Sequence, residues 1–409
     1  MASEASLNQL IDRKLPVAPL ALIALPSARQ MGDKVSGYIS SFRRKSAPAE
    51  AEDGRKDDQY YRDSYLLDLE IERLPSGECR VSLLQSVRGR DVFILVDVMN
   101  WTVTYQLNGF TNHMSPDDHF QDLKRVISAI QGRARRITVI MPFLYEGRQH
   151  HRSSRESLDA ALMLGELFNM GVDNFITFDA HDPRIASVAP LDNFDNFVSP
   201  YQFLTALLHT VDDLKVDKEH VVVISPDEGG MGRAIYIANV LGLDMGMFYK
   251  RRDYTRIVDG RNPIVAHEFL GTELKGKDAI IIDDMISSGG SMLDTSRMLK
   301  EVMHAGRIFI CTTFGLFTDG LEAFDHAYEE GWFDKLVTTN LTCLPQELLD
   351  RPYFAMADMS KYLATIIDHF NHDAGISNIT AMTQKIHDIL SMYNENERRA
   401  LLRDGLLDL

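Results

Sequence analysis

The chain has 409 residues, more than a single hydrophobic core usually serves, and this length favours two domains. Its 43 lysines and arginines stand against 59 aspartates and glutamates, which gives a net charge of -16. The surface as a whole therefore repels nucleic acids and anionic membranes. Any anionic small molecule must be held by a local cationic pocket.

The three cysteines, Cys79, Cys311 and Cys343, are far apart and outside any C-x-x-C spacing. This pattern argues against a disulfide framework and a zinc site, and it indicates reduced thiols in a cytoplasmic protein. The apolar run 17–26 raises the alternative of a secretory signal, but its prolines and the acidic residues before it disfavour export. No stretch approaches the roughly 20 uninterrupted apolar residues of a membrane-spanning helix.

Short apolar runs bounded by turn residues alternate with longer amphipathic stretches, a pattern typical of parallel strands joined by helices. The predicted strands are 92–98, 137–143, 175–178, 221–224, 245–249, 278–282, 308–313 and 336–339. The predicted helices are 117–130, 158–170, 233–241, 292–304 and 360–370. The fold class is therefore α/β, with mainly parallel sheets flanked by helices.

Breaks in this alternation indicate the domain boundaries. Proline, aspartate and asparagine interrupt the pattern before 200, so we predict an N-terminal domain over 15–199 and a C-terminal domain over 200–373. The charged segment 43–63 has almost no aliphatic residues and is predicted to be an exposed insertion. Residues 374–409 are predicted to form a helical C-terminal extension.

The run 280–291, IIIDDMISSGGS, combines an apolar strand, an acid pair and a loop of small residues that opens a helix. In an open α/β sheet, ligands bind beyond the carboxyl ends of the strands. Small side chains at 287–291 let backbone N–H groups approach a phosphate, assisted by the helix dipole. Asp283 and Asp284 can accept hydrogen bonds from sugar hydroxyls or hold a metal ion. The acid pair alone is more typical of a turn and a helix cap, but the complete run favours a phosphorylated sugar.

Two further predicted strands also end in acidic residues. The strand 221–225 leads into the sequence PDEGG, which places Asp227 at the same edge of the sheet as Asp283. A tight turn with a helix cap explains this motif equally well. The stretch 175–185, FITFDAHDPRI, ends with His181 between carboxylates, which fits a metal site and an ordinary hydrogen-bonded histidine equally well.

Two cationic clusters could neutralise phosphates on this acidic protein. One is 250–252, which ends a strand and runs into a polar, mobile-looking stretch, and the other is 148–155. Charge runs are usually solvated faces, but both of these follow strands, where a ligand should lie. A partial P-loop match at 271–277 is rejected, because Asp278 replaces the required Ser or Thr and the glycines precede a strand.

Taken together, these motifs closely resemble ribose-phosphate diphosphokinase, also called phosphoribosyl pyrophosphate synthetase, over about 20–371. They occur in the order of that family: LPSGE at 74–78, SVRGRDV at 86–92, RQ at 148–149, then FDAHDPRI, ISPDEGG, YKRR and IIDDMISSGGS. The resemblance implies two phosphoribosyltransferase-like domains and a homo-oligomeric ring built from dimers, such as a hexamer. It also implies the Mg²⁺-dependent conversion of ATP and ribose 5-phosphate into AMP and phosphoribosyl pyrophosphate for nucleotide biosynthesis, with no nucleic-acid or membrane partner.

The resemblance also implies roles for individual residues. The catalytic residues would be Lys250 and Arg252, on a closing loop that stabilises the pyrophosphoryl group in transfer. ATP would be bound by Arg148 and Gln149 and, with the neighbouring subunit contributing most, by Ser76, Gly77 and Glu78. The metal ligands would be His181 and Asp227. Ribose 5-phosphate would be bound by Arg252, Asp283, Asp284, Ser287, Ser288, Gly289, Gly290 and Ser291.

The sequence departs from the family pattern at a few positions. His150 replaces the usual acidic residue after RQ, Leu74 replaces an aromatic, Ser76 replaces Asn or Asp, and Ser287-Ser288 replaces Asp-Thr. The altered adenine motif favours one alternative, a non-catalytic regulatory paralogue of the same fold, whereas the intact cationic cluster disfavours it. A phosphoribosyltransferase would share the acid pair and its loop, but the RQ, FDAHD and SVRG motifs speak against that second alternative.

Overall fold

The computed structural model describes residues 15–45, 60–152, 154–252, 264–380 and 382–394. The helices and strands through the first half are β1 (Leu20–Ala24), α1 (Arg29–Lys45), β2 (Leu69–Arg73), β3 (Cys79–Leu83), β4 (Asp91–Leu95), β5 (Thr104–Leu107), β6 (Phe110–His113), α2 (Pro116–Ile130), β7 (Arg136–Ile140), α3 (Asp159–Asn169), β8 (Asn174–Phe178) and β9 (Asn193–Phe197). Those that follow are α4 (Pro200–Thr210), β10 (Val221–Ser225), α5 (Met231–Leu241), β11 (Asp244–Arg252), β12 (Ile264–Leu270), β13 (Asp278–Ile286), α6 (Gly290–Glu301), β14 (Ile308–Gly315), α7 (Glu322–Glu329), β15 (Lys335–Thr339), α8 (Gln346–Leu349), β16 (Phe354–Ala357), α9 (Ser360–Asn371), α10 (Ser377–Thr380) and α11 (Met382–Asn394). Short 3-10 helices occupy Pro26–Ala28 and Pro183–Val188.

The described residues form two compact units. The first contains the described chain through Val198, together with Leu341–Cys343 and Asp358–Thr380. The second contains Ser199–Asn340, Leu344–Ala357 and α11. The sequence boundaries assigned 358–373 to the C-terminal domain, whereas the contacts of α9 lie with the first unit.

Each unit is built on a mainly parallel sheet. In the described part of the first unit, the central sheet has five parallel strands in the order β1-β4-β7-β8-β9. In that of the second, seven strands run β12-β11-β10-β13-β14-β15-β16, and β12 alone pairs antiparallel. Every residue of β1, β4, β8, β10 and β14 is buried, as expected for strands covered by helices on both faces. The predicted α/β class is confirmed.

Local sequence explains where the helices begin and end. Ser115 caps α2 by accepting from the Asp118 backbone N–H, while the Asp118 side chain accepts from the Ser115 backbone. Pro116 at the first helical position needs no hydrogen-bond partner for its nitrogen. Helix α5 ends at Gly242, whose φ of 68° lies in the left-handed region that glycine adopts without strain.

Each predicted strand and helix is present, with shifted ends. The largest extension is in β13, which continues to Ile286 because Met285 and Ile286 still pair with β14. Strand β1 was not predicted from the sequence, because prolines lie close to it: Pro19 and Pro26 flank the strand instead of interrupting it. Among the described residues, none of the helices combines the length and hydropathy needed to cross a bilayer.

A buried arginine joins α1 to α9 in the first unit. The segment 43–63 was predicted to be exposed, but Arg43 is only 2% exposed. Its Nε donates to Asp368 Oδ1 at 2.8 Å and its Nη2 donates to Asn371 Oδ1 at 2.7 Å. The guanidinium lies over the rings of Tyr60 and Tyr65, 4.4 and 4.8 Å from their centroids. Arg43 is buried because its charge and its donors are matched, which sequence composition does not reveal.

The same network reaches the amino-terminal ends of two strands. Asn371 Nδ2 donates to Asp91 Oδ2 at 2.8 Å, and Arg136 Nη2 donates to the same oxygen at 2.8 Å. Arg136 also donates to Asp373 Oδ1 and to the Phe370 carbonyl oxygen. Helix α9 is thereby fastened to β4 and β7 of the first sheet.

The C-terminal helix α11 packs on the second unit. Its buried side chains include Ile386, Ile389 and Tyr393. Tyr393 Oη donates to the Val211 carbonyl oxygen at 3.3 Å, and His387 Nε2 donates to that of Val240 at 3.2 Å. Within the predicted C-terminal extension, α11 therefore adds a layer over α4 and α5, whereas residues 374–380 belong to the first unit. Residues 381 and 395–409 lie outside the description.

We expect Arg43→Ala to lower the free energy of unfolding of the first unit by about 3–5 kcal/mol, because it leaves the Asp368 carboxylate buried without its partner. Urea denaturation followed by circular dichroism measures this loss. The matched control is Arg44→Ala, since Arg44 pairs with Asp63 on the surface, where the two side chains are 59% and 93% exposed. That control should change stability by less than about 0.5 kcal/mol. Equal losses in the two variants would contradict the assignment.

Candidate functional site

The acid pair of the second unit lies near the carboxyl end of β13, where its two side chains have different surroundings. Successive residues of a strand point to opposite faces. Asp283 is half-buried, and its Oδ1 accepts from the Asp284 backbone N–H at 2.9 Å. Asp284 is 3% exposed, and its Oδ2 lies 3.7 Å from Arg233 Nη2 on α5. Asp283 is therefore the more accessible carboxylate, and Asp284 has a partly buried cationic neighbour that sequence reasoning did not identify.

The loop after β13 leads tightly into α6. Gly289 has a φ of 90°, and a Cβ built there would lie 2.2 Å from Cζ of the buried Phe324. Only glycine fits this position. Ser288, Gly290 and Ser291 are exposed at the start of α6, where the first backbone N–H groups of a helix have no partner within it. The geometry is that of an anion-binding helix start.

The second acid–glycine motif lies beside the first, because β10 and β13 are parallel neighbours. Asp227 Oδ1 accepts from the backbone N–H groups of Gly229 and Gly230 at 2.9 and 3.2 Å. A Cβ on Gly230 would lie 2.8 Å from Ser225 Oγ and 3.5 Å from Asp283 Oδ1. The absence of a side chain at Gly230 therefore lets the two turns approach each other.

The electrostatics of this edge favour cations and hydrogen-bond donors. Burial, then the neighbouring Asp284, then Asp227, raise the pKa of Asp283 well above its ordinary value of 3.8. A metal ion or sugar hydroxyls placed between these carboxylates would relieve the repulsion. An anion would instead bind at the adjacent helix start.

The predicted catalytic cations lie on β11. This strand continues through Arg252, three residues beyond the predicted end at 249. In the antiparallel pairing with β12, Lys250 lies opposite His267 and Arg252 opposite Ile264, with an irregularity before Arg252. The side chains of both residues, and the predicted mobile stretch 253–260, lie outside the described part of the structure.

In the first unit, Arg148 and Gln149 lie in turns after β7. The Gln149 backbone N–H donates to the Glu146 carbonyl oxygen at 2.8 Å, and that of Gly147 donates to the carbonyl oxygen of Leu144 at 3.0 Å. Arg148 and Gln149 are exposed at the carboxyl end of the strand. This position suits two long polar side chains that reach a ligand beyond the sheet.

The predicted metal ligand His181 lies after β8, the parallel neighbour of β7. It is exposed, and its ring centroid lies 5.8 Å from that of His150. His150 Nε2 also lies 3.1 Å from Asp182 Oδ2. The hydrogen bond from the Arg184 guanidinium is the main cause that lowers the pKa of Asp182 to about 2. The structure therefore brings the RQ turn and the FDAHD loop together.

The predicted adenine residues form the turn between β2 and β3. Ser76 and Glu78 are exposed, and Ser76 Oγ donates to Glu78 Oε2 at 2.8 Å. Gly77 has a φ of 89°, and its backbone N–H donates to the Leu74 carbonyl oxygen at 2.8 Å. The turn belongs to a separate two-stranded antiparallel sheet, so it is not part of the central sheet whose strands precede Arg148 and His181.

Comparison with known proteins finds a matching family model for each of the two units. Residues 20–171 match the N-terminal domain of ribose phosphate pyrophosphokinase, and residues 204–323 match the phosphoribosyl transferase domain. The ribose-phosphate pyrophosphokinase of Mycoplasma pneumoniae is 30% identical over 310 residues, which cover 74% of this chain and 84% of that protein. That of Vibrio parahaemolyticus is 29% identical over 316 residues, covering 76% and 90%.

A solved structure supports the same fold. The phosphoribosylpyrophosphate synthetase from Mycobacterium smegmatis superimposes with a TM-score of 0.67, at 22% sequence identity. The similarity covers 87% of this chain and 99% of that one. The two chains therefore share their architecture over almost the whole of the solved structure.

We expect Gly289→Ala to destabilise the second unit by about 2–4 kcal/mol, because it combines a left-handed backbone with a collision against Phe324. The matched control is Gly290→Ala, whose Cβ would meet nothing within 4 Å at the first position of α6. Alanine there should leave stability unchanged or raise it slightly. Thermal unfolding of the two variants compares them, and equal melting temperatures would contradict the account of the loop.

The raised pKa of Asp283 predicts a specific pH dependence. Because the folded-state pKa exceeds the unfolded one, the stabilisation is fully present below about 3.8 and is lost as the pH rises through the folded-state value. In metal-free buffer, the wild type should therefore lose stability relative to Asp283→Asn as the pH rises above about 3.8. Urea midpoints measure the difference. Parallel pH profiles would show that the carboxylate is not repelled.

Proposed function

The chain belongs to the ribose-phosphate pyrophosphokinase family, and on that premise we propose that it transfers the pyrophosphoryl group of ATP to the 1-hydroxyl of ribose 5-phosphate. The products are AMP and phosphoribosyl pyrophosphate, a precursor for nucleotide biosynthesis. The observation that carries this proposal is the pairing of a phosphosugar edge on β13 with a first unit of the pyrophosphokinase type. A phosphoribosyltransferase would need only the phosphosugar edge.

Ribose 5-phosphate binds at the β13 edge. Its phosphate lies on the helix start formed by Ser287–Ser291, where backbone N–H groups and serine hydroxyls donate to the phosphate oxygens. Asp283 accepts hydrogen bonds from the ribose hydroxyls. Asp284 acts behind it: held near Arg233, it keeps the strand end in place and raises the pKa of Asp283.

ATP binds through Arg148 and Gln149, and the hairpin turn Ser76–Glu78 contacts its adenine. The ribose 1-hydroxyl oxygen attacks the β-phosphorus, a bond forms between them, and the bond from the β-phosphorus to the α,β-bridging oxygen breaks as AMP leaves. The protein contributes positioning and charge neutralisation instead of a covalent intermediate. Lys250 and Arg252 stabilise the charge on the pyrophosphoryl group during transfer, and Arg252 also contacts ribose 5-phosphate.

The donors at the two edges fit Mg²⁺. Within the described residues, no group of three or more His, Cys, Asp and Glu side chains is arranged as a metal cage. Mg²⁺ binds through one or two protein groups and completes its octahedron with water and phosphate oxygens. Each unit offers one residue that would hold such an ion: in the second unit the Asp227 carboxylate, whose Oδ1 is fixed by two backbone N–H groups, and in the first unit His181. When bound, the ion neutralises charge on the phosphate oxygens.

Assembly and location follow from the same premise. The adenine turn lies on its own two-stranded sheet, apart from the central sheet, which suits a site completed by a neighbouring subunit, so we infer a homo-oligomer built from dimers, such as a hexameric ring. The three widely spaced cysteines, Cys79, Cys311 and Cys343, fit the reducing cytoplasm.

The decisive experiment incubates the purified chain with ATP, ribose 5-phosphate and Mg²⁺ and quantifies nucleotides and phosphoribosyl pyrophosphate. We expect AMP and phosphoribosyl pyrophosphate in equal amounts, with no product in EDTA. A non-catalytic paralogue would give neither product. A phosphoribosyltransferase would release pyrophosphate from phosphoribosyl pyrophosphate only when a nucleobase is added, and that result would replace the proposal.

A variant pair ties the activity to β11 in the same assay. Lys250→Ala should reduce kcat by a factor of about 10³ and leave the KM for ribose 5-phosphate nearly unchanged. Lys275→Ala, an exposed lysine before the amino-terminal end of β13, is the control and should keep wild-type kcat. Near-normal turnover of the Lys250 variant would remove that residue from the mechanism.

A further inference from the structure

His150 occupies an unusual position between two loops of the first unit. It follows Gln149 directly, and its Nδ1 donates to the Gly147 carbonyl oxygen at 3.3 Å, so the ring is fixed to the turn that carries Arg148. Its Nε2 lies 3.1 Å from Asp182 Oδ2, in the loop after β8. One side chain therefore joins the loops that follow two neighbouring parallel strands.

The Asp182 carboxylate, at the other end of this contact, is held by further hydrogen bonds. Asp182 is 9% exposed, and its Oδ1 accepts from the Arg184 backbone N–H at 2.9 Å, which caps the 3-10 helix Pro183–Val188. The Arg184 guanidinium donates to both of its carboxylate oxygens. A side chain held at several points is a fixed anchor, so a group bonded to it loses freedom as well.

We propose that His150 is a positioning residue, which holds the ATP-binding turn with Arg148 and Gln149 in register with the loop that carries His181. This inference rests on the proposed function and assigns a task to a residue that departs from the family pattern. Histidine suits the task because its two polar ring nitrogens are held apart in one planar ring: Nδ1 contacts the Gly147 carbonyl oxygen, and Nε2 faces Asp182 Oδ2 and, at 3.0 Å, His151 Nδ1.

The reason for such a bridge is the exposure of the groups it positions. Arg148 and Gln149 extend from turns with exposed, long side chains. Their approach to the phosphates depends on where the backbone lies, and displacements of about 1 Å can reduce transfer rates by a factor of about 100. A bridge to the neighbouring loop removes this freedom before ATP arrives.

The test measures the KM for ATP, the KM for ribose 5-phosphate, and the dissociation constant of α,β-methylene ATP, which cannot release its pyrophosphoryl group. We expect His150→Ala to weaken both ATP parameters about tenfold and to leave the KM for ribose 5-phosphate within twofold. His150→Gln should recover most of this loss, because its amide nitrogen is as many bonds from the backbone as Nε2. Unchanged melting temperatures would exclude a general loss of fold.

A matched control and a double variant complete the design. His220→Ala removes a histidine that contacts a carboxylate in the second unit, Asp217 Oδ1 at 2.7 Å, and should leave ATP binding unchanged. In the double variant His150→Ala with Asp182→Ala, the affinity for ATP should equal that of the single variant with the larger loss. Both substitutions break the same contact, so their effects should not multiply.

The outcomes separate this inference from the proposed function. Unaltered ATP affinity in His150→Ala, or multiplicative losses in the double variant, would overturn the positioning role even in an active enzyme. If the wild type binds the analogue but forms no product, the proposed activity fails, while a tenfold loss of analogue affinity in His150→Ala still supports the bridge. A loss that His150→Gln does not recover at all would also overturn it.

Discussion

Parallel pairing of β10 with β13 is the constraint on which the second unit's site depends. Two strands that run side by side in the same direction end at the same edge, so the acidic turn after each must share that edge. The Asp227 carboxylate consequently helps to raise the pKa of Asp283, and Gly230 is required to let the turns approach. The sheet thus creates an edge that is unfavourable until a cation or a hydroxylated ligand occupies it.

The first unit applies the same geometry with different chemistry. Strands β7 and β8 are also parallel neighbours, but the loops that follow them carry arginine, glutamine and histidine. There, the contact between His150 and Asp182 joins the two loops. The edge at the ends of β10 and β13 attracts positive charge and hydroxyl groups, whereas the edge at the ends of β7 and β8 offers hydrogen-bond donors to an anion. A reaction between a phosphosugar and a nucleotide needs both kinds of edge. An overall charge of -16 does not prevent this, because the donors are concentrated locally.

Sequence alone predicted the elements whose signal is carried by continuous apolar runs, such as β10, β13 and β14. Prediction from sequence failed where a feature depends on contacts between residues that are far apart in the chain. Strand β1 was obscured because prolines flank it, and Arg43 was expected at the surface because composition does not show that Asp368 meets it 325 positions away. Asp283 and Asp284 looked equivalent in the sequence, although the alternation of a strand separates them. Asp182 was noted only as an acid near His181, since its link to His150 depends on strand order.

Helix α9 has a consequence for how the polypeptide matures. The chain leaves the first unit after Val198, returns to it briefly at Leu341–Cys343 and returns again at Asp358–Thr380. Helix α9 therefore supplies the buried groups Asp368 and Asn371 to a core whose strands were completed much earlier. During synthesis, the five strands of the sheet have been made long before the partners of Arg43 in α9 have left the ribosome. The first unit must wait, with the charge of Arg43 unmatched by Asp368, while most of the second unit is made.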